Sequence, residues 1–199
     1  MHYTKMMYRL FVLLLIGLLA GCEKPALPSY FHASDVTGKY AQADFHLADH
    51  NGKSRSLSDF RGKVVVVFFG YTHCPDVCPT TLADLAQTLR LLGKDAERVQ
   101  VLFVTLDPER DTRELLAQFV PAFHPAMLGL YGDAQATASA AKSFRVDYQK
   151  VPTKNGYLLD HTTFIYLLDT QGKVRLMAGD REPSEWLAQD IRLLLASAH

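Results

Sequence analysis

The sequence predicts an α/β fold, a mixed sheet flanked by helices with a β-hairpin at its N-terminal side, and three observations carry that prediction. Val64-Val65-Val66-Val67-Phe68-Phe69 is an unbroken apolar run, too short for a helix and rich in β-branched residues, so it reads as a central strand covered on both faces. Leu82, Leu85, Ala86, Leu89 and Leu92 then repeat along one helical face. Val101 to Leu106 forms a second buried run, and strand, helix, strand in that order implies a crossover with parallel pairing.

The chain opens differently. Lys5 and Arg9 precede an apolar stretch from Leu10 to Ala20, and no acidic residue occurs before Glu23. Those eleven apolar residues are about half of the roughly 20 that a spanning helix needs. Ending in Leu19-Ala20-Gly21-Cys22, the segment has the layout of a cleavable secretory signal. It resembles a bacterial lipobox, which implies that residues 1–21 are removed and that Cys22 becomes a lipid-bearing N-terminus. An ordinary signal with a coincidental cysteine is the alternative, and either way the body of the protein is exported. Residues 22–39, with Pro25, Pro28, Ser29 and Ser34 and no sustained periodicity, read as a tether. Residues 40–199 are expected to form one domain.

In that domain, Phe45 to Ala48 and Ser54 to Leu57 flank Asp49-His50-Asn51-Gly52 and are expected to form the N-terminal hairpin. Pro79 suits the first position of the helix that follows the loop Gly70 to Cys78. Asp111 and Glu114 make a capping-box-like pair ahead of Leu115, Leu116, Phe119 and Val120. Asp133 caps an alanine-rich helix that runs to about Phe144. Thr163 to Leu168 and Lys173 to Met177 enclose a turn and form a second hairpin. Pro183 opens a last helix on which Trp186, Leu187, Ile191, Leu194 and Leu195 share a face. A βαβ unit, a hairpin and a closing helix, with cysteines where the first strand turns into its helix, resemble the thioredoxin fold. The fold alone assigns no activity.

Composition removes two classes of function. A hydrophobic content of 48% excludes a disordered tail. The 21 basic residues less Lys5 and Arg9 leave 19 against 21 acidic ones in the exported part, a field too weak to steer toward nucleic acid. With Cys22 lipidated, the remaining thiols are Cys74 and Cys78, four residues apart at a strand-to-helix junction. One helical turn brings such positions to the same side, and the positive end of the helix dipole lowers a thiol pKa there. The pair therefore suits reversible disulfide chemistry or a soft metal ion. A purely structural disulfide is disfavoured, because so short a loop constrains the unfolded chain little.

The segment Gly70-Tyr71-Thr72-His73-Cys74-Pro75-Asp76-Val77-Cys78-Pro79-Thr80 resembles the signature of the SCO/SenC family, whose members help assemble the binuclear copper A centre of cytochrome c oxidase. Thr105-Leu106-Asp107-Pro108-Glu109-Arg110-Asp111-Thr112 and Asp160-His161-Thr162-Thr163 agree with that family in the same order, over about residues 42–196. The resemblance implies a membrane-anchored metallochaperone that holds one copper through Cys74, Cys78 and His161. Two thiolates and an imidazole suit Cu(I) and, with a further ligand, Cu(II). Binding displaces thiol protons and needs a neutral imidazole, so it weakens in acid. Asp107 and Asp160 are candidates to orient those ligands, Asp107 equally well as a turn residue ahead of Pro108. His73 is the rival ligand, while His32, His46, His50, His124 and His199 default to surface or structural roles.

The resemblance further implies the copper A subunit of the oxidase as partner, a copper donor or thiol reductant in the periplasm, and a lipid-held position facing the periplasm or cell exterior. The second reading is a thiol–disulfide oxidoreductase in which Cys74 and Cys78 are the redox pair, reducing the oxidase's copper-ligand cysteines or acting in redox signalling. Where a thioredoxin-like oxidoreductase has a proline before the strand that faces its cysteines, this chain has His161-Thr162-Thr163.

Overall fold

A computed structural model describes residues 30–197. The expected signal segment, Cys22 and the tether up to residue 29 lie outside the described residues. The strands are β1 (Ser34–Asp35), β2 (Leu47–Asp49), β3 (Ser54–Arg55), β4 (Val64–Gly70), β5 (Val99–Thr105), β6 (Leu128–Tyr131), β7 (Tyr148–Thr153), β8 (Gly156–His161), β9 (Ile165–Leu168) and β10 (Val174–Ala178). The helices are α1 (Val77–Leu92), α2 (Arg113–Phe123), α3 (Ala134–Ser143) and α4 (Ser184–Ala196).

Eight strands form one sheet in the order β1-β10-β9-β4-β5-β6-β2-β3, and β7 with β8 forms a separate two-stranded sheet. β4 pairs in parallel with β5, and β5 with β6, whereas β9 runs antiparallel to β4. This is the mixed sheet expected from the sequence, with the β2–β3 hairpin at its N-terminal side. All seven residues of β4 are buried, as a strand covered on both faces must be. Its alternate residues serve the two faces: Phe69 meets Phe144 just past α3, while a Cβ on Gly70 would meet Cys78 of α1.

Helix α1 buries Cys78, Leu82, Leu85, Ala86, Leu89 and Leu92. Each fully buried leucine contributes roughly 1.5–3 kcal/mol, so this stripe fixes the helix to the sheet. The helix starts at Val77 rather than at Pro79. A proline is tolerated there because the first-turn N–H groups have no intrahelical partner to lose. Thr112, not Asp111, caps α2, its hydroxyl accepting from the Leu115 N–H. Asp133 caps α3 as expected, accepting from the Ala136 N–H. In α4 the buried face holds Leu187, Ile191, Leu194 and Leu195, but Trp186 lies off it, half-exposed and stacked on His32.

The C-terminal part of the expected tether belongs to the folded unit. Ser34 and Asp35 pair with β10, and Ala33 and Val36 are buried. The reason is a side chain distant in sequence: Asp190 of α4, fully buried, accepts from the His32 and Ala33 N–H groups at 2.9 and 2.8 Å. Local composition carries no trace of such a partner. Replacing Asp190 by Ala orphans both donors. Denaturant unfolding is expected to show a loss of about 2–4 kcal/mol, with protease cleavage appearing near residues 30–36; unchanged stability contradicts the role of this carboxylate.

Candidate metal centre

The loop after β4 is tied down before it delivers a cysteine. Asp111, 1% exposed, accepts from the Thr72 N–H at 3.0 Å and from the hydroxyls of Thr72 and Thr105. A buried carboxylate held by three donors is satisfied, and here it joins the cysteine loop to the end of β5. Thr72 also meets His73 Nδ1 at 3.0 Å. His73 is exposed, and its recorded polar partners are Thr72 and Asp111 rather than the sulfurs.

Cys74 and Cys78 are both free thiols; Cys74 is half-buried and Cys78 fully buried. Asp76 stands at the N-cap of α1 but makes no side-chain cap bond. Cys74 Sγ takes that place, accepting from the Cys78 N–H at 3.4 Å. Its pKa falls to about 3, first because Cys78 donates a hydrogen bond to it and then through His161 and the Asp76 and Cys78 N–H groups, which outweigh burial. Cys78 moves the other way, raised by the same bond and by its burial. The two sulfurs hold one proton between them, a thiolate at Cys74 and a thiol at Cys78.

His161 ends β8, on the separate two-stranded sheet. Its Nδ1 bonds the Thr162 carbonyl at 2.8 Å. Donation there leaves the lone pair on Nε2, which stands 3.7 Å from Cys78 Sγ. His161 also helps to lower the Cys74 thiol pKa, and its ring meets Tyr71 edge-on with centroids 5.9 Å apart. Tyr71, 2% exposed, has its phenol pKa raised by burial, with the neighbouring Cys74 and Cys78 adding to the rise. Thus the fold brings Cys74, Cys78 and His161 together across 83 residues. Among the described residues no three His, Cys, Asp or Glu side chains stand close enough together to hold a metal ion as they are placed. The three groups are neighbours, on different elements.

The two expected helper carboxylates part company. Asp107, 1% exposed, accepts from the Tyr157 hydroxyl at 2.7 Å and from Arg110 Nε. It therefore touches the hairpin that carries His161, not the sulfurs. Asp160 is exposed, and its recorded side-chain partner is Gln149 across the hairpin. Adjacent strand residues point to opposite faces, so Asp160 turns away where His161 turns in. Arg110 and Tyr157 are not among the site residues expected from the sequence, and Asp111 is expected there only as a helix cap. Asp111 resembles a cap residue by spacing, and Tyr157 sits in a hairpin whose one clear signal was Asn155-Gly156 at its turn.

The SCO1/SenC family model matches residues 34–196. The human mitochondrial protein SCO2 homolog is 41% identical over 160 residues, covering 78% of this chain and 60% of the human protein. The chain thus spans less than two thirds of that relative. Among solved structures, Bradyrhizobium japonicum ScoI with copper bound is 41% identical with a TM-score of 0.71, covering 76% of this chain and 97% of ScoI. The apo Sco1 protein from Thermus thermophilus is 38% identical with a TM-score of 0.74, covering 83% and 97%. Sequence, fold and the order of the three motifs lead to one conclusion: this chain belongs to the SCO1/SenC family.

Proposed function

We propose that the protein is an exported copper metallochaperone that takes one copper ion on Cys74, Cys78 and His161 and passes it to the copper A subunit of cytochrome c oxidase. The observation that carries this reading is the 3.7 Å between Cys78 Sγ and His161 Nε2. With bonds of about 2.3 Å to sulfur and about 2.0 Å to nitrogen, the donors around a trigonal ion stand about 3.7 Å apart. The spacing fits a low-coordinate Cu(I), and two thiolates with an imidazole are the donors it prefers. The copper-bound state of ScoI, at 41% identity, supports the same cargo here.

The proton inventory gives capture its direction. Cys74 is already a thiolate and offers the first bond. Cys78 gives up its proton as it becomes a ligand, so affinity rises with pH across the neutral range. The half-exposed Cys74 can meet a partner's thiolate, while buried Cys78 and half-buried His161 hold the ion from the other side. The oxidase as recipient follows from the family resemblance. Attachment through lipid on Cys22 follows from the residues before it; among the described residues no helix is long and apolar enough to cross a membrane.

The state of Cys74 also favours a second reading, dithiol exchange. Its thiolate can attack a substrate disulfide and release one substrate thiolate; Cys78, on losing its proton, then attacks the mixed disulfide. The second substrate thiolate leaves, and a Cys74–Cys78 disulfide remains, two electrons having passed to the substrate. His161 takes no part in that sequence.

Two measurements check these statements. Cu(I) competition titrations on the full chain are expected to show His161→Ala weakening retention by about a hundred-fold or more, with unchanged circular dichroism. Equal retention removes His161 from the site and leaves dithiol exchange. Separately, alkylation of Cys74 is expected to keep nearly the same rate from pH 8 to pH 5. An ordinary thiol of pKa about 8.5 loses roughly a thousand-fold in thiolate over that span. Cys78→Ala should restore much of the ordinary pH dependence, since it removes the foremost cause of the low pKa; a ten-fold fall per pH unit in the unsubstituted protein contradicts the shared proton.

A further inference from the structure

Most of the Thr105–Thr112 segment plays no direct part at the sulfurs, yet Asp107 and Asp111 in it are buried and hydrogen-bonded, and half-buried Arg110 pairs with Asp107. Asp107 accepts from the Tyr157 hydroxyl at 2.7 Å through one oxygen and holds Arg110 through the other. Arg110 donates back to the Tyr157 carbonyl at 2.9 Å, and its guanidinium lies 3.7 Å from the centre of the Tyr157 ring. Carboxylate, guanidinium and phenol thus close a ring. The Asp107 N–H continues it inward to the Thr105 hydroxyl, which donates to Asp111. Lys150 of β7 adds an exposed ion pair with Glu109, a contact that solvent screens.

This ring matters because of what it holds. β7 and β8 share no ladder with the main sheet. Tyr157, Leu159 and His161 lie on one side of β8, the side turned to the domain, with Leu159 buried between the other two. The distance from Tyr157 to His161 along the strand is about 13 Å, four residues at roughly 3.3 Å each. A paired strand of that length is stiff, so fixing Tyr157 fixes the angle at which His161 meets the sulfurs.

We propose that Asp107, Arg110 and Tyr157 form a latch on the β7–β8 hairpin that sets the placement of His161 and thereby the rate at which copper leaves. The proposal rests on the copper reading of Cys74, Cys78 and His161. In it, the three latch residues are positioning residues: they touch neither the ion nor the thiols. With the latch closed, the imidazole stays at the sulfurs and the ion is retained. Opening it lets the hairpin swing about its covalent base at residues 147 and 162, which withdraws the nitrogen donor and leaves copper on two sulfurs, the arrangement that a competing dithiolate displaces most readily.

Tyr157→Phe tests this, because it removes one hydroxyl and keeps the ring. In the full chain, transfer of Cu(I) to a chelator such as bicinchoninate is expected to speed up about ten-fold, the worth of one hydrogen bond to a buried charge. Cys74 alkylation is expected to stay as it was and the unfolding midpoint to fall only modestly, as the loss of one hydrogen bond to buried Asp107 requires, while the nitrogen hyperfine signature of the Cu(II) form weakens. In a His161→Ala background the same substitution is expected to add nothing, because the latch acts through that imidazole. A wild-type transfer rate in Tyr157→Phe overturns the latch and leaves the copper reading standing. An additive acceleration in the His161→Ala background also overturns it, since a general structural defect behaves that way. Retention of copper by His161→Ala alone, at the wild-type level, sinks the copper reading and the latch with it.

Discussion

Helix α1 can set its first turn against the sheet only because Gly70 has no side chain. A Cβ there would lie 2.8 Å from Cys78 Sγ and 2.8 Å from the Phe103 ring, closer than packed atoms come. The absence of one methyl group allows Cys78 to be fully buried at the end of β4, with Cys74 one turn away over the helix N-terminus. From that approach follow the thiol–thiolate hydrogen bond, the low pKa of Cys74 and the reluctance of Cys78 to ionise.

The rest of the site is arranged by buried carboxylates on the strand-to-helix segment after β5. Asp111 faces the cysteine loop and Asp107 faces the hairpin, so two acids four residues apart hold the two halves of the site in register. Both are 1% exposed. A buried carboxylate is tolerated only when its oxygens are occupied, and each of these is: Asp111 by Thr72 and Thr105, Asp107 by Tyr157 and Arg110. In a thioredoxin-like scaffold built for disulfide traffic the thiols alone suffice. Here the scaffold also brings an imidazole from a separate two-stranded sheet to 3.7 Å from Cys78 Sγ.

The central strand, the α1 stripe and the cap on α3 were legible in the sequence because each depends on neighbours in sequence: a run of valines, a period of 3.6, an Asp three residues before its N–H partner. The misreadings have the opposite character. Asp111 looked like a cap, but its partners Thr72 and Thr105 come from elsewhere in the chain and outcompete the helix end. Trp186 matched the apolar period of α4 yet stacks on His32, whose own position is set by Asp190. Residues 30–39 looked like linker because their anchor lies about 157 residues away. The nearness of Cys74 to Cys78 could be read from spacing alone, whereas the approach of His161 could not; only family resemblance suggested it, since the β7–β8 hairpin that makes it went unrecognised.

X-ray absorption at the copper edge, on the Cu(I)-loaded full chain, tests the convergence of these three donors most directly. The expected spectrum shows two sulfurs at about 2.3 Å and one nitrogen at about 2.0 Å around copper, with imidazole outer-shell scattering. A shell of two sulfurs without the imidazole pattern, or one dominated by nitrogen and oxygen, contradicts it.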